Sequence, residues 1–75
     1  MGRYRRAAYY IIRVYYKKAR GKFYVKLLNS GRRRVMKGLR GAERFEREQD
    51  GLWVVITNQW QGNPVVEPGD SDDGV

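Results

Sequence analysis

Seventy-five residues make one small domain, and a domain near 60 ordered residues buries only about 60% of its unfolded surface. The chain has no Cys and no His, which excludes disulfides, thiolate or imidazole metal sites and nucleophile–imidazole pairs. Sixteen Lys and Arg against eight Asp and Glu leave a net charge of +8, which points to a polyanionic partner.

The charge is segregated along the chain. Residues 1–40 hold 14 basic residues and no acid, whereas residues 41–75 hold Arg44 and Arg47 against all eight acids, a net of −6. An apolar content of 41%, with 13% aromatic, is enough for a folded core.

In chain order, residues 1–6 have no apolar period and read as a flexible basic arm carrying Arg3, Arg5 and Arg6, suited to reach into a groove. Residues 8–18 are dense in aromatic and β-branched types and predict a strand. The most apolar run, Ala7 to Tyr16, contains Arg13 and falls short of the ~20 residues a spanning helix needs. No small-residue cleavage site follows it, so no signal peptide is read and a cytoplasmic location is expected, nucleoid-associated in a cell or in the host cytoplasm for a viral protein. Gly21 marks a turn, residues 22–29 resume the strand pattern, Asn29-Ser30-Gly31 is a second turn, and residues 32–37 predict a short third strand.

Leu39, Ala42 and Phe45 recur at helical spacing and predict the one helix, over about 40–49, with Gly51 after its end. Residues 52–58, Leu-Trp-Val-Val-Ile-Thr-Asn, predict a strand. Beyond them Gly62, Pro64, Pro68, Gly69 and Gly74 break the pattern, and Glu67, Asp70, Asp72 and Asp73 make residues 62–75 an acidic tail expected to be disordered. The expected fold is a single α+β domain over residues 7–61. It has a small antiparallel sheet of three to four strands, in the order strand, strand, short strand, helix, strand, with one helix on one face.

With Arg20 and Gly21 as a two-residue loop, Tyr16 opposes Val25 and Val14 opposes Leu27. That register sorts Ile12, Val14, Tyr16, Phe23, Val25 and Leu27 to one face, beneath Leu39, Ala42 and Phe45. Each side chain buried there contributes roughly 1.5–3 kcal/mol. Tyr9, Ile11, Arg13, Tyr15, Lys17, Tyr24 and Lys26 fall on the other, where cations alternate with rings.

Such a face suits nucleic acid. Arg13, Lys17 and Lys26 are placed to neutralise phosphates and release counterions. Tyr15 and Tyr24 are placed to stack on unpaired bases, at about 1–3 kcal/mol per base. A two-stranded ribbon also fits a major groove. Arg20 and Lys22 at the first turn, and Arg32, Arg33 and Arg34 at the second, extend the cationic surface. The competing reading is that Tyr9, Tyr15 and Tyr24 only cross-link the sheet with cation stems lying over them, and that Arg32 to Arg34 guard a sheet edge.

Trp53 and Trp60 read as core or tail anchors. Glu43 and Glu46, with Arg40, Arg44 and Arg47 three and four residues away, read as a solvated ion-pair surface rather than a metal site. Gly38 and Gly41 do not make a phosphate loop. No catalytic residue, metal site or cofactor is expected, and the chain is not read as an enzyme.

The layout of Tyr9 to Glu48 resembles the arm-type DNA-binding domain at the N-terminus of some tyrosine recombinases, in which a three-stranded sheet followed by a helix reads DNA. The strand at 52–58 and the acidic tail depart from that pattern. The layout also looks like small phage-encoded proteins that bind and inhibit a host enzyme.

The expected function is nucleic-acid binding, DNA ahead of RNA, in transcription regulation, recombination or packaging. The alternative is a viral-type inhibitor or adaptor that docks its basic face on an acidic groove of a host polymerase or nuclease. The tail is expected to compete for the basic face, no membrane contact is expected, and a homodimer would form by edge pairing of residues 52–58 or 8–18.

Overall fold

The computed structural model describes residues 7–69. The basic arm, Arg3, Arg5 and Arg6 included, and the acids Asp70, Asp72 and Asp73 lie outside the described residues. Five elements follow in chain order: β1 (Tyr9–Tyr15), β2 (Phe23–Leu27), β3 (Arg33–Lys37), α1 (Glu48–Thr57) and β4 (Asn63–Gly69). The strands form one antiparallel sheet in the order β3-β2-β1-β4. The α+β class and the order of elements are as the sequence suggests, but the last two elements are displaced along the chain.

The expected helix at 40–49 is a looped segment. Gly38 and Gly41 sit at φ 99° and 81°, a left-handed conformation that a right-handed helix cannot include and that glycine adopts without a Cβ penalty. The helix forms instead over the stretch expected as a strand. Five apolar residues in a row fit either state, and the local ends favour the helix. Glu48 and Asp50 lie in its first turn, where the helix dipole favours anions. The Asn58 amide donates to the Val54 carbonyl at 2.8 Å and closes its last turn.

Residues 63–69, expected in the loose tail, pair with β1 along its whole length, from Tyr9↔Gly69 to Tyr15↔Asn63. Pro64 and Pro68 disguise this strand. They are tolerated because β4 is an edge, where one flank needs no ladder donor. Residues 8–18 therefore cannot pair across a two-fold axis, since β1 is flanked on both sides, and residues 52–58 offer no strand to do so.

The β1–β2 register differs from expectation. Val14 opposes Phe23 and Arg13 opposes Tyr24, so the connection is longer than two residues. The shift is an even number of positions, and each side chain keeps its face. The strands then diverge, and residues 43–45 enter the fork. Tyr10 and Phe45 exchange backbone hydrogen bonds at 2.7 and 2.8 Å, and the Glu43 N–H donates to the Val25 carbonyl at 2.9 Å. This wedge satisfies strand groups that the splayed ladder leaves open.

Two cores result. On one face Ile12, Val14 and Val25 are buried with Phe45 and Val54, and Tyr16 meets Phe23 edge-on at 5.2 Å. Here α1 packs on β4 and β1. On the other face Tyr9, Ile11 and Tyr24 are buried beneath Leu39 and Ala42. Leu39 and Ala42 thus cover the face expected to be open, and of the three residues expected over the apolar face only Phe45 is there.

Candidate nucleic-acid interface

The segment from residue 17 to residue 40 carries ten cations and no acid. It comprises the β1–β2 connection, β2, β3 and the turn after β3. Lys17, Arg20, Lys22, Arg32, Arg33 and Arg34 are all exposed, as are Lys18, Lys37 and Arg40, and Lys26 is half-buried. Among the described residues only Arg33 has a carboxylate partner. It grips Glu43 with two of its nitrogens, Nε to Oε1 at 2.8 Å and Nη2 to Oε2 at 3.0 Å. That bidentate bond raises the Arg33 pKa above its ordinary value and makes Arg33 the least available cation of the group.

The aromatic part of the expected site is only half presented: Tyr15 is 40% exposed. Tyr24 is 8% exposed, so it cannot stack on a base. Tyr15 leans along its strand and donates its hydroxyl to Glu67 at 2.5 Å. The Arg13 guanidinium lies 4.2 Å from the Tyr15 ring centroid, and the buried Arg13 Nε has no hydrogen-bond partner among the described residues. Arg44 covers Tyr9 in the same way at 4.3 Å. The cation–π contacts thus lie along β1 for Arg13 and Tyr15, and tie the segment between β3 and α1 to β1 for Arg44 and Tyr9. Packing separates Arg13, Tyr15 and Tyr24 from the exposed cations with which the sequence grouped them.

A different concavity lies beside β3. A cleft of about 420 Å³ runs between β3 and the chain after α1, with Val25 and Val35 on one side, Tyr16 and Trp60 among its walls, and Arg34, Gln59 and Gln61 also lining it. Trp60 is held in place by its indole N–H, which donates to the Val55 carbonyl at 2.9 Å. Aromatic surface, side-chain amides and a cation in one cleft match a planar, polar-edged ligand such as a nucleobase. The signal in the sequence is the run Asn58-Gln59-Trp60-Gln61, three amides and an indole just after the apolar stretch.

Nothing here forms a metal centre: no group of three or more acidic side chains among the described residues is placed to hold an ion. No helix among them is long and apolar enough to cross a membrane. Comparison of the chain with protein-family models, with curated proteins and with solved structures finds no significant match.

Proposed function

We propose that this chain binds nucleic acid, DNA ahead of RNA, through the cations of residues 17–40, in a role such as transcription regulation, recombination or packaging. The observation that carries the reading is that only one of these ten cations meets a carboxylate among the described residues. Cations concentrated in one short segment without acids repel each other, and a polyanion relieves that repulsion while releasing its counterions. Lys17, Arg20 and Lys22 at one turn, and Arg32, Arg34 and Lys26 near the other, contact phosphates. The cleft beside Trp60 takes an unpaired base.

Fluorescence anisotropy of labelled single- and double-stranded DNA and RNA oligomers, titrated at several salt concentrations, tests this. Five to eight phosphate contacts on a duplex give a log–log salt slope of about −4.5 to −7. Replacing Arg32, Arg34 and Lys22 by Ala lowers its magnitude by about one for each cation removed. Trp60→Leu weakens single strands more than duplexes. Binding that vanishes by physiological salt, with no preference among the oligomers, overturns the reading. That outcome favours the second reading, an adaptor or inhibitor whose cations dock on an acidic protein groove. Its supporting observation is that the sheet face offers little ring surface for stacking: Tyr24 is buried, and Tyr15, though 40% exposed, is tied to Glu67.

A further inference from the structure

The two edges of the sheet differ in what their backbones offer. In an antiparallel ladder, alternate residues turn both N–H and C=O towards the same neighbour. The Leu28 N–H donates to the Arg32 carbonyl at 2.7 Å and the Gly38 N–H to the Lys22 carbonyl at 2.8 Å. Arg34 and Met36, in step with Arg32 and Gly38, therefore pair with β2. The N–H and C=O of Arg33, Val35 and Lys37 point away from the sheet, where β3 has no neighbour strand among the described residues. At the other edge, Tyr10 turns its backbone groups to Phe45 and away from β4. Its partner Pro68, with Val66 and Pro64 in step, thus turns outward. Both prolines lack an N–H, so β4 is a blunted edge and β3 an open one.

An edge of alternating donors and acceptors is complemented by another peptide backbone. A phosphate backbone accepts hydrogen bonds but has no N–H groups to meet the three outward carbonyls. Charge then selects the strand. Arg33, Arg34 and Lys37 stand on β3 without an acid, and Arg33 is already tied to Glu43. A second copy of β3 would set like charges opposite one another, which destabilises a pair, whereas an acidic strand sets opposite ones. The cations that keep copies of this chain apart admit an acidic partner.

The side chains add a recess. Val35 is half-buried and packs on the helix side of the sheet. The cleft of about 420 Å³ beside β3, with Val25, Tyr16 and Trp60 among its walls, lies on that side. A side chain directly opposite Val35 on an added strand is placed to enter it. Lys37 shares that face by alternation, and Arg34 and Met36 lie on the other. Backbone hydrogen bonds, with a pocket for an alternate side chain, are how extended peptides join a sheet edge.

We infer that β3 takes an extended acidic segment of a partner protein as an added strand. An aromatic side chain opposite Val35 sits beside Trp60, and acids lie opposite Arg34 and Lys37. This partner is additional to nucleic acid. It shares Arg34 and the cleft with the proposed nucleic-acid site, so the two compete.

The test is a capped, fluorescein-labelled peptide, Gly-Glu-Val-Phe-Glu-Thr-Gly. Run antiparallel to β3, it sets its Phe opposite Val35, its first Glu opposite Lys37 and its second opposite Arg34. Anisotropy is followed on titration with the full chain, without nucleic acid, and saturable binding is expected. Methylating the Phe N–H, which faces the Val35 carbonyl, weakens binding by about tenfold, through a lost hydrogen bond and an unpaired acceptor. Methylating the Val N–H, which faces solvent, leaves binding nearly unchanged. Val35→Pro removes an outward donor and no bond to β2, and weakens the parent peptide similarly. No binding of the parent peptide overturns the inference. So does equal loss from the two methylations, which means that charge alone holds the peptide. An edge that serves nucleic acid instead shows as Val35→Pro weakening oligonucleotides while the peptide does not bind. Oligonucleotide affinity is measured separately without peptide, so this inference and the nucleic-acid reading fail independently.

Discussion

The Tyr15 hydroxyl and the Glu67 carboxylate, 52 positions apart, meet at 2.5 Å across β1 and β4. The contact ties the central strand to the edge strand on the face opposite the helix. It also holds the Tyr15 ring over Arg13. One hydrogen bond thus decides that two residues with the composition of a ligand site serve the sheet instead.

This contact has a titration signature. Hydrogen bonding to Glu67 raises the Tyr15 pKa above its ordinary 10.0. The protonated phenol is favoured in the fold, so the contribution is complete below pH 10.0 and is lost as pH rises through the higher folded value. The difference between tyrosinate absorbance titrations of the native chain and Tyr15→Phe is expected to show a group ionising above 10.0, and Glu67→Gln to bring it back. A difference curve centred at or below 10.0 would contradict the assignment.

Gly62 is placed where the chain enters β4 against β1. A Cβ there would lie 2.7 Å from the Val14 and Tyr16 side chains and 2.9 Å from the Tyr15 carbonyl oxygen. Val14 is buried and the carbonyl belongs to the backbone, so neither yields readily. Gly62→Ala is expected to cost about 1–3 kcal/mol in urea unfolding, whereas Ser30→Ala at the exposed β2–β3 turn stays within about 0.5 kcal/mol. Equal midpoints for the two variants would show that β4 does not approach so closely.

Ile12 is 0% exposed and sits where the helix, β2 and β4 converge. Ile12→Val is expected to cost about 0.5–1.5 kcal/mol, and Ile12→Ala about 2–5 kcal/mol. The larger loss is comparable with the whole stability of many small domains. Denaturation of both variants by circular dichroism checks the order. An Ile12→Ala chain as stable as the native one would place the core elsewhere.

Two truncations separate the strand from the acids that follow it. Removing residues 62–75 deletes β4 and exposes one side of β1, so cooperative unfolding is expected to be lost. Removing residues 70–75 takes away Asp70, Asp72 and Asp73 and leaves β4. Competition by those acids for the cationic surface predicts tighter oligonucleotide binding at low salt after the shorter truncation. Unchanged affinity would make them bystanders. Glu67, grouped with these acids by sequence, belongs to the sheet through Tyr15.

The first three strands were legible because their signals are local. Alternation sorts Ile12, Val14 and Val25 from Arg13 and Tyr24 in the expected and the observed register alike, since the two differ by an even shift, which preserves the faces. The Asn29-Ser30-Gly31 turn was legible for the same reason: Leu28 and Arg32 close it through the Leu28 N–H at 2.7 Å. The helix and β4 were not legible. The apolar run at 52–56 suits helix and strand equally, and Pro64 and Pro68 hide a strand whose only partner lies some 50 positions away in sequence.

The sequence by itself determined the α+β class, the order of elements, the two-faced first strands and a cationic segment without acids, because composition and alternation are properties of neighbouring residues. Tertiary structure alone decided which cations stay exposed and which rings stay open. Leu39 and Ala42 fold over Tyr24, Glu67 arrives on β4 beside Tyr15, and Glu43 captures Arg33. The helix likewise turns Trp53 outward and Val54 inward from a run in which they are neighbours. Each of these depends on which distant segment lies alongside, which is set by the burial that the chain as a whole can achieve.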